Sequence, residues 1–327
     1  MGRREVGKHK LRPALPALAA GNNEGVMMKE ILSASRMNTL LTCHRQHYWR
    51  YERRIRKAAT VPALFFGSAW HKAMEYRWQG RVLGDVLAEV GQQFTDEQEL
   101  AKFRGMLTGY YHHWQNEVVS ELLPEVEFRQ SIVGSRTFDS AGIIDGLGVL
   151  HDGRLVLLEH KTTSDSLDAD SEYWIRLRYN VQICQYVLAA RALGWDVAVV
   201  LYDVARKPAI RVKQGETPEQ FGDRLAADTR ERPEFYFARR EVPVLDDDLA
   251  EFEAMRLVAG RTILRCRAEQ RRARLPEHGW ARSVDMMRCR FCEYSDFCLQ
   301  NVSVGDELPT GYEYDQRYVA NQKGETE

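Results

Sequence analysis

The chain has 327 residues, 44% of them hydrophobic and 28% charged, with a net charge of −1. That is ample for a real core, in one large domain or two small ones. No apolar run approaches bilayer length and no signal-peptide core opens the chain, so a cytoplasmic protein with no membrane role is expected. Its six cysteines then read as metal ligands rather than as a disulfide framework.

The small net charge conceals an asymmetry. Residues 1–57 carry thirteen Lys or Arg against four Asp or Glu, and residues 261–290 carry nine against three. Past Asn301 the balance reverses to six acids against two bases. Two basic segments suit a polyphosphate partner better than an evenly basic chain would.

Residues 1–30 are basic, then rich in Pro, Ala and Gly, and are expected to be a disordered tail. Within them Gly2-x4-Gly7-Lys8 imitates a P-loop, but His9 stands where Ser or Thr would hold Mg²⁺, and no strand can precede residue 2. A helicase motor, if one is needed, is therefore another polypeptide. Ser33 or Ser35 caps a helix running to Cys43, followed by the aromatic and basic stretch His47-Tyr48-Trp49-Arg50-Tyr51. A helix after Gly67 carries Trp70, Met74 and Trp78 as an apolar stripe, and an amphipathic helix is expected over 96–122, stopping before Pro124.

The period then changes to two. Segments 126–133, 137–149 and 154–161 read as a meander turned at Gly134-Ser135 and Asp152-Gly153. A helix over 172–193, a strand at Val197–Tyr202, a capping box Thr217-Pro218-Glu219-Gln220, a strand over 235–242 and a long helix from Asp246 to Arg272 follow. The sum is α/β: a central sheet flanked by helices. The expected division is a tail over 1–30, a single domain over 31–300, and an acidic tail over 301–327.

The chemistry gathers on one strand. Leu155-Val156-Leu157-Leu158 is an apolar run consistent with a central strand, and it ends in Glu159-His160-Lys161, so Glu159 and Lys161 share a face and His160 takes the other. An acid and an amine emerging from an apolar strand are costly unless used. Asp145 closes the preceding strand. A two-residue turn at Asp152-Gly153 would pair it with His160; a three-residue turn, His151-Asp152-Gly153 with Gly153 left-handed, pairs it with Glu159. The three-residue turn, or an equivalent bulge at Gly146 or Gly148, is expected. Asp145 and Glu159 would then hold a hard cation, Mg²⁺ or Mn²⁺, with His71 completing its shell and Lys161 orienting a water. Hydrolysis of a phosphodiester is the reaction this set suits. Taken singly, each residue has a structural explanation: a turn cap for Asp145, a satisfied helix histidine for His71.

Cys289, Cys292 and Cys298 form C-x2-C-x5-C, one ligand short of a tetrahedral site, and Cys43, about 245 residues upstream, can supply the fourth. Spacing alone leaves Zn²⁺ and an iron–sulphur cluster level. Cys184 and Cys266 read as small buried hydrophobes.

Together these residues resemble the RecB-like branch of the PD-(D/E)XK nucleases, in particular its iron–sulphur members. That group includes the AddB nuclease domain, the CRISPR spacer-acquisition nucleases, exonuclease V and phage exonucleases. Gly67-x3-His71 is similar to the family's G-x-x-x-H. Asp145 falls on its acidic motif, with Ile144 in place of the proline, Glu159-x-Lys161 on E-x-K, and Gln182-x3-Tyr186 on Q-x-x-x-Y. Cys43, Cys289, Cys292 and Cys298 fall on its cluster cysteines. The resemblance implies a restriction-endonuclease-like core sheet, a structural [4Fe-4S] cluster formed from both chain ends, and cleavage of single-stranded DNA, often from an end, in recombination, repair or DNA processing. Gln182 and Tyr186 would position the DNA. It also implies partners such as a separate helicase or a recombination or integration protein, and a phage or bacterial setting. The rival expectation is a non-catalytic DNA-binding or assembly subunit, disfavoured because Asp145, Glu159 and Lys161 are all present.

Overall fold

The computed structural model describes residues 29–58, 62–197, 199–300, 302, 304–305 and 307–315. The P-loop imitation and the expected tail lie outside these residues, apart from the tail's last two positions. Of those, Glu30 opens β1 (Glu30–Ile31). Ser33 then caps α1 (Ala34–Thr42) by accepting from Arg36 N–H, and α2 (His44–His47) continues into a π-helical turn at Tyr48–Glu52. After β2 (Ile55–Lys57) come α3 (Pro62–Trp78), α4 (Leu83–Gly91) and α5 (Glu97–His113). The meander is β3 (Val119–Ser131), β4 (Phe138–Leu150) and β5 (Leu155–Thr163).

The helix expected over 172–193 is two: α6 (Glu172–Arg178) and α7 (Val181–Ala192), broken where Asn180 caps α7 through Gln182 N–H. Next come β6 (Val199–Arg206), α8 (Pro218–Glu231) behind its capping box, α9 (Pro233–Tyr236), β7 (Phe237–Val242) and α10 (Asp246–Gln270). Short helices α11 (Met286–Arg290) and α12 (Ser295–Leu299) carry Cys289 and Cys298, with Cys292 between them, and β8 (Tyr312–Tyr314) follows.

Two expectations need correction. The helix expected to reach residue 122 ends at His113, and Pro124 lies inside β3. Val119, Leu122 and Leu123 look helical by spacing, but as strand residues they divide between faces, Leu123 toward the main core and Val119 and Leu122 toward a smaller one. Pro124 is tolerated because β3 pairs only with β4, leaving an open edge. The segment after 300 is not wholly a tail: β8 pairs antiparallel with β2, and the Tyr312 hydroxyl donates to Glu293 O at 2.6 Å.

The main sheet runs β1-β4-β5-β6-β7, with β3 also on β4. β3 occupies one edge of β4 along nearly its whole length. β1 and β5 must therefore share the other edge, β1 beside Phe138–Asp139 and β5 beside Gly146–Val149. Between them the edge of β4 has no strand, and this gap positions the site. Parallel β5 and β6, joined by α6 and α7, extend past the gap. The large core packs α1, α7 and α10 on one face, including Trp280, Phe252 and Val187; α3, α4, α5 and α8 build a second core around Trp70 and Phe103. Gly109 lets α5 meet α8 closely, since a Cβ there would lie 2.0 Å from Thr229 Oγ1.

Candidate active site

The β4–β5 hairpin closes through the three residues His151, Asp152 and Gly153, with Leu150 N–H donating to Arg154 O at 2.9 Å and Gly153 at φ +88°. Gly146 faces Leu158, so the register continued by one pair sets Asp145 across from Glu159. The ladder stops at Gly146. Beyond it the Asp145 carboxylate replaces the missing strand contact, accepting from His160 N–H at 2.8 Å. His71, on α3, places Nδ1 3.3 Å from the same carboxylate. Gly67 lies within α3 rather than before it, where a Cβ would stand 3.6 Å from Thr162 Oγ1 on β5.

On β5, Lys161 Nζ forms an ion pair with Glu159 and also donates to Gln182 Oε1 at 3.1 Å. Gln182 Nε2 in turn donates to the Tyr186 hydroxyl at 3.0 Å. One chain of contacts thus joins the strand residues to one face of α7. His160 turns the other way, as alternation requires: Trp78 Nε1 donates to its Nε2 at 3.2 Å and Nδ1 lies 3.1 Å from Asp203 Oδ2.

Burial, then the charge of Asp145, pushes the Glu159 carboxyl up to about 7. Burial acts on Asp145 too, but the hydrogen bond and charge of His71 outweigh it and hold Asp145 low. His71 is raised: burial opposes its charged form, and Asp145 overcomes this. Glu159 is fully buried, yet its Oε2 has no hydrogen-bond partner. Such an orphan beside a second carboxylate and an imidazole is the donor set a hard divalent cation would satisfy. Among the described residues, no group of three or more His, Cys, Asp or Glu side chains is arranged as it would be around an ion.

Several contributors were not read from the sequence. Gln185, buried one residue before Tyr186, donates Nε2 to Ala141 O at 3.0 Å and so fills the gap in the β4 edge. Asp203 on β6 anchors His160 and is itself held by Arg239 at 3.4 Å and by the Tyr110 hydroxyl. Glu125 on β3 lines a groove of about 730 Å³ with Ser68, His71, Glu75, Thr162 and Lys207. Pro124-Glu125 lies across from Asp145-Gly146, a pairing hidden in the sequence because Pro124 reads as a helix stop.

Cys43, Cys289, Cys292 and Cys298 line a single cavity of about 190 Å³, walled otherwise by residues that include Val284, Met286 and Leu299. Cys43 closes α1, and Ser283 N–H points at its Sγ from 3.4 Å. Four thiols lining one largely apolar cavity are of the donor type a four-thiolate metal group uses, though they are not drawn in around an ion, and the donors alone do not choose between zinc and iron–sulphur. Cys184 and Cys266 are buried.

The family model of the PD-(D/E)XK nuclease superfamily matches residues 31–299, and the chain belongs to that superfamily. No curated protein matches it by sequence. Among solved structures it is similar to a protein from Eubacterium rectale named "Putative exonuclease", at 15% identity and TM-score 0.45, over 86% of this chain and 91% of that one. It is also similar to SSO0001, at 12% identity and TM-score 0.38 over 85% and 90%. A phage related exonuclease from Haemophilus somnus 129PT gives 11% and 0.30 over 72% and 92%. No helix among the described residues is long and apolar enough to cross a membrane.

Proposed function

We propose that this nuclease hydrolyses phosphodiester bonds of DNA, acting on single strands from an end, with Mg²⁺ or Mn²⁺ held by Asp145, Glu159 and His71. The observation that carries this reading is the orphaned, fully buried Oε2 of Glu159 beside Asp145. A bound divalent cation would neutralise the scissile phosphate and acidify a water. Lys161, fixed between Glu159 and Gln182, orients the attacking water and stabilises charge developing on the phosphate. Gln182 and Tyr186 hold the strand's backbone along α7. The four cysteines would hold a [4Fe-4S] cluster, with zinc the alternative. A separate helicase or a recombination or integration protein would supply the single strands.

Digestion of end-labelled single-stranded DNA with Mn²⁺ or Mg²⁺ tests this, beside Lys161→Ala. Cleavage by the wild type, reduced by about 10²-fold or more in the variant, is expected. Equal cleavage by both would remove Lys161 from the site. No cleavage by intact wild type would favour a binding or assembly subunit.

A further inference from the structure

We propose that Lys207, with the hydroxyls of Ser68 and Thr162, holds the DNA phosphate next to the scissile one, on one side of the bond that is cut. The inference rests on the nuclease reading and deepens it, by naming a substrate contact of the same site. The groove of about 730 Å³ beside His71 differs in character between its two ends. Gly67, Ser68, His71, Lys72 and Glu75 line it from one side of α3. Along that side His71 stands in the middle, with Ser68 about one turn before it and Glu75 about one turn after.

Strand parity brings Lys207 to the Ser68 end. Thr162 pairs with Ala205 in the parallel β5–β6 ladder, and Ala205 joins the core beneath α3. Two residues further on, Lys207 returns to the same face of the sheet. Its N–H donates to Thr163 O at 2.7 Å, so the two chains are still in register there. Its Nζ lies 5.4 Å from the centroid of the Phe66 ring, on α3 next to Gly67. A Cβ on Gly67 would stand 3.6 Å from Thr162 Oγ1, so α3 and β5 meet at this end. An aromatic face thus fixes the Lys207 side chain at the groove wall.

Charge divides the groove in the same way. At one end Lys72 is bound to Glu75 at 2.6 Å, and Glu125 stands near that pair, its carboxyl pushed up by burial first and then by Asp145 and Glu75. A phosphate there would meet two carboxylates and a cation already engaged. At the other end an ammonium stands with two hydroxyls. Burial pushes that ammonium below its ordinary value, opposed by Glu99, which is itself paired with Lys102. A cation partly out of water gains from an anion brought within hydrogen-bond reach. The segment leaving β6 extends the basic side: Arg206, Lys207, Arg211 and Lys213 have no acid between them, and Arg211 and Lys213 are exposed. A phosphate cut beside His71 therefore has a place for its neighbour toward Lys207 and repulsion toward Glu75. Such one-sidedness suits a strand that ends near the site rather than one that runs through it.

Fluorescence anisotropy of a labelled single-stranded oligonucleotide, mixed with the full chain in chelator, reads binding without cleavage. Lys207→Ala should weaken binding about tenfold at low salt. It should also flatten the slope of log K against log salt by about 0.7, the share of one phosphate on a single strand. Lys207→Arg should restore both. With Mn²⁺ added, Lys207→Ala should raise KM more than it lowers kcat. One neutral methylphosphonate linkage, placed in turn on either side of the first bond cut, then locates the contact. On one side only, it should raise the wild-type KM as Lys207→Ala does and cost the variant nothing further. Losses that multiply on both sides, or an unchanged KM and salt slope in Lys207→Ala, overturn the proposal, while a wild type that cuts keeps the nuclease reading. A wild type that neither binds nor cuts the strand overturns both. If Lys207→Ala does not fold, Lys207→Met decides instead, because its stem keeps the packing on Phe66.

Discussion

At the scale of single residues, the site is organised by what each carboxylate lacks. Asp145 is bound twice, by His71 and by the His160 backbone, and stays ionised. Glu159 is buried with one oxygen bare, and its folded-state pKa lies near 7 against an ordinary value of 4.5. A raised acid pKa means the folded state binds the proton more tightly than the unfolded state. Without a cation, stability therefore falls as pH rises from about 4.5 through about 7. Glu159→Gln should melt above the wild type at pH 8 in chelator, converge with it toward pH 5, and melt below it once Mn²⁺ is added. Equal melting temperatures at pH 8 with and without chelator would show that Glu159 meets no cation. The sequence makes Glu159, Lys161 and Asp145 visible because an acidic or basic side chain at the end of an apolar strand has few other uses. Glu125 was invisible for a physical reason: its place in the groove comes from a left-handed backbone and a cross-strand neighbour, and neither leaves a pattern in a single strand.

Between elements, a second layer supports the first. Asp203 on β6 joins His160 on β5, Tyr110 on α5 and Arg239 on β7, and Arg239 continues to Glu117. Burial would raise the Asp203 carboxyl, but Arg239 and His160 hold it far below the usual range. The backbone N–H of His160 fixes Asp145, so this buried network reaches the candidate site through one peptide group. Asp203→Asn leaves Arg239 buried beside a neutral amide and should cost about 3–5 kcal/mol. A depressed pKa stabilises the fold above the unfolded-state value near 4, and that contribution fades as pH falls below it. Chemical denaturation should thus separate wild type and variant at pH 7, with the gap beginning to narrow below about pH 4 and closing only as pH falls through the far lower folded-state value. As a positioning residue, Asp203 should lower kcat more than it raises KM; a change in stability alone would make it structural. Elements were legible where one rule governs them: Thr217 and Gln220 form the capping box read from sequence, and the hairpin closes in the three-residue turn that places Asp145 opposite Glu159. They were lost where tertiary pairing overrides local spacing, as at Val119–Pro124, whose helix-like apolar residues are divided between two faces of β3.

Across the whole molecule, the two ends of the described chain meet, and the cysteines are one of several ties between them. Arg267 near the end of α10 binds Glu30 at 2.6 Å and Glu52 at 2.7 Å, and Arg36 reaches both acids. Arg45 Nε donates to Trp280 O at 2.8 Å, His47 stacks on Trp280, and the Tyr294 hydroxyl donates to Ile55 O. This arrangement refines what loss of the proposed metal group should do. The sequence alone suggests a staple closing the longest loop in the chain, whose removal would destabilise the whole domain. The structure instead surrounds the cysteine cavity with ion pairs and aromatic contacts that need no metal. If the proposed cluster is present, Cys292→Ser should lose its iron and sulphide and melt at a lower temperature. It should still unfold in one cooperative step, because the Arg267 and Trp280 contacts keep the ends docked. Metal analysis beside calorimetry checks this. Zinc without sulphide in the wild type would replace the cluster with a zinc site and leave the stability argument standing. A variant that melts at the wild-type temperature would show that the cysteines do not staple the fold. Two separated transitions would show that the surrounding contacts cannot hold the ends together without the metal group.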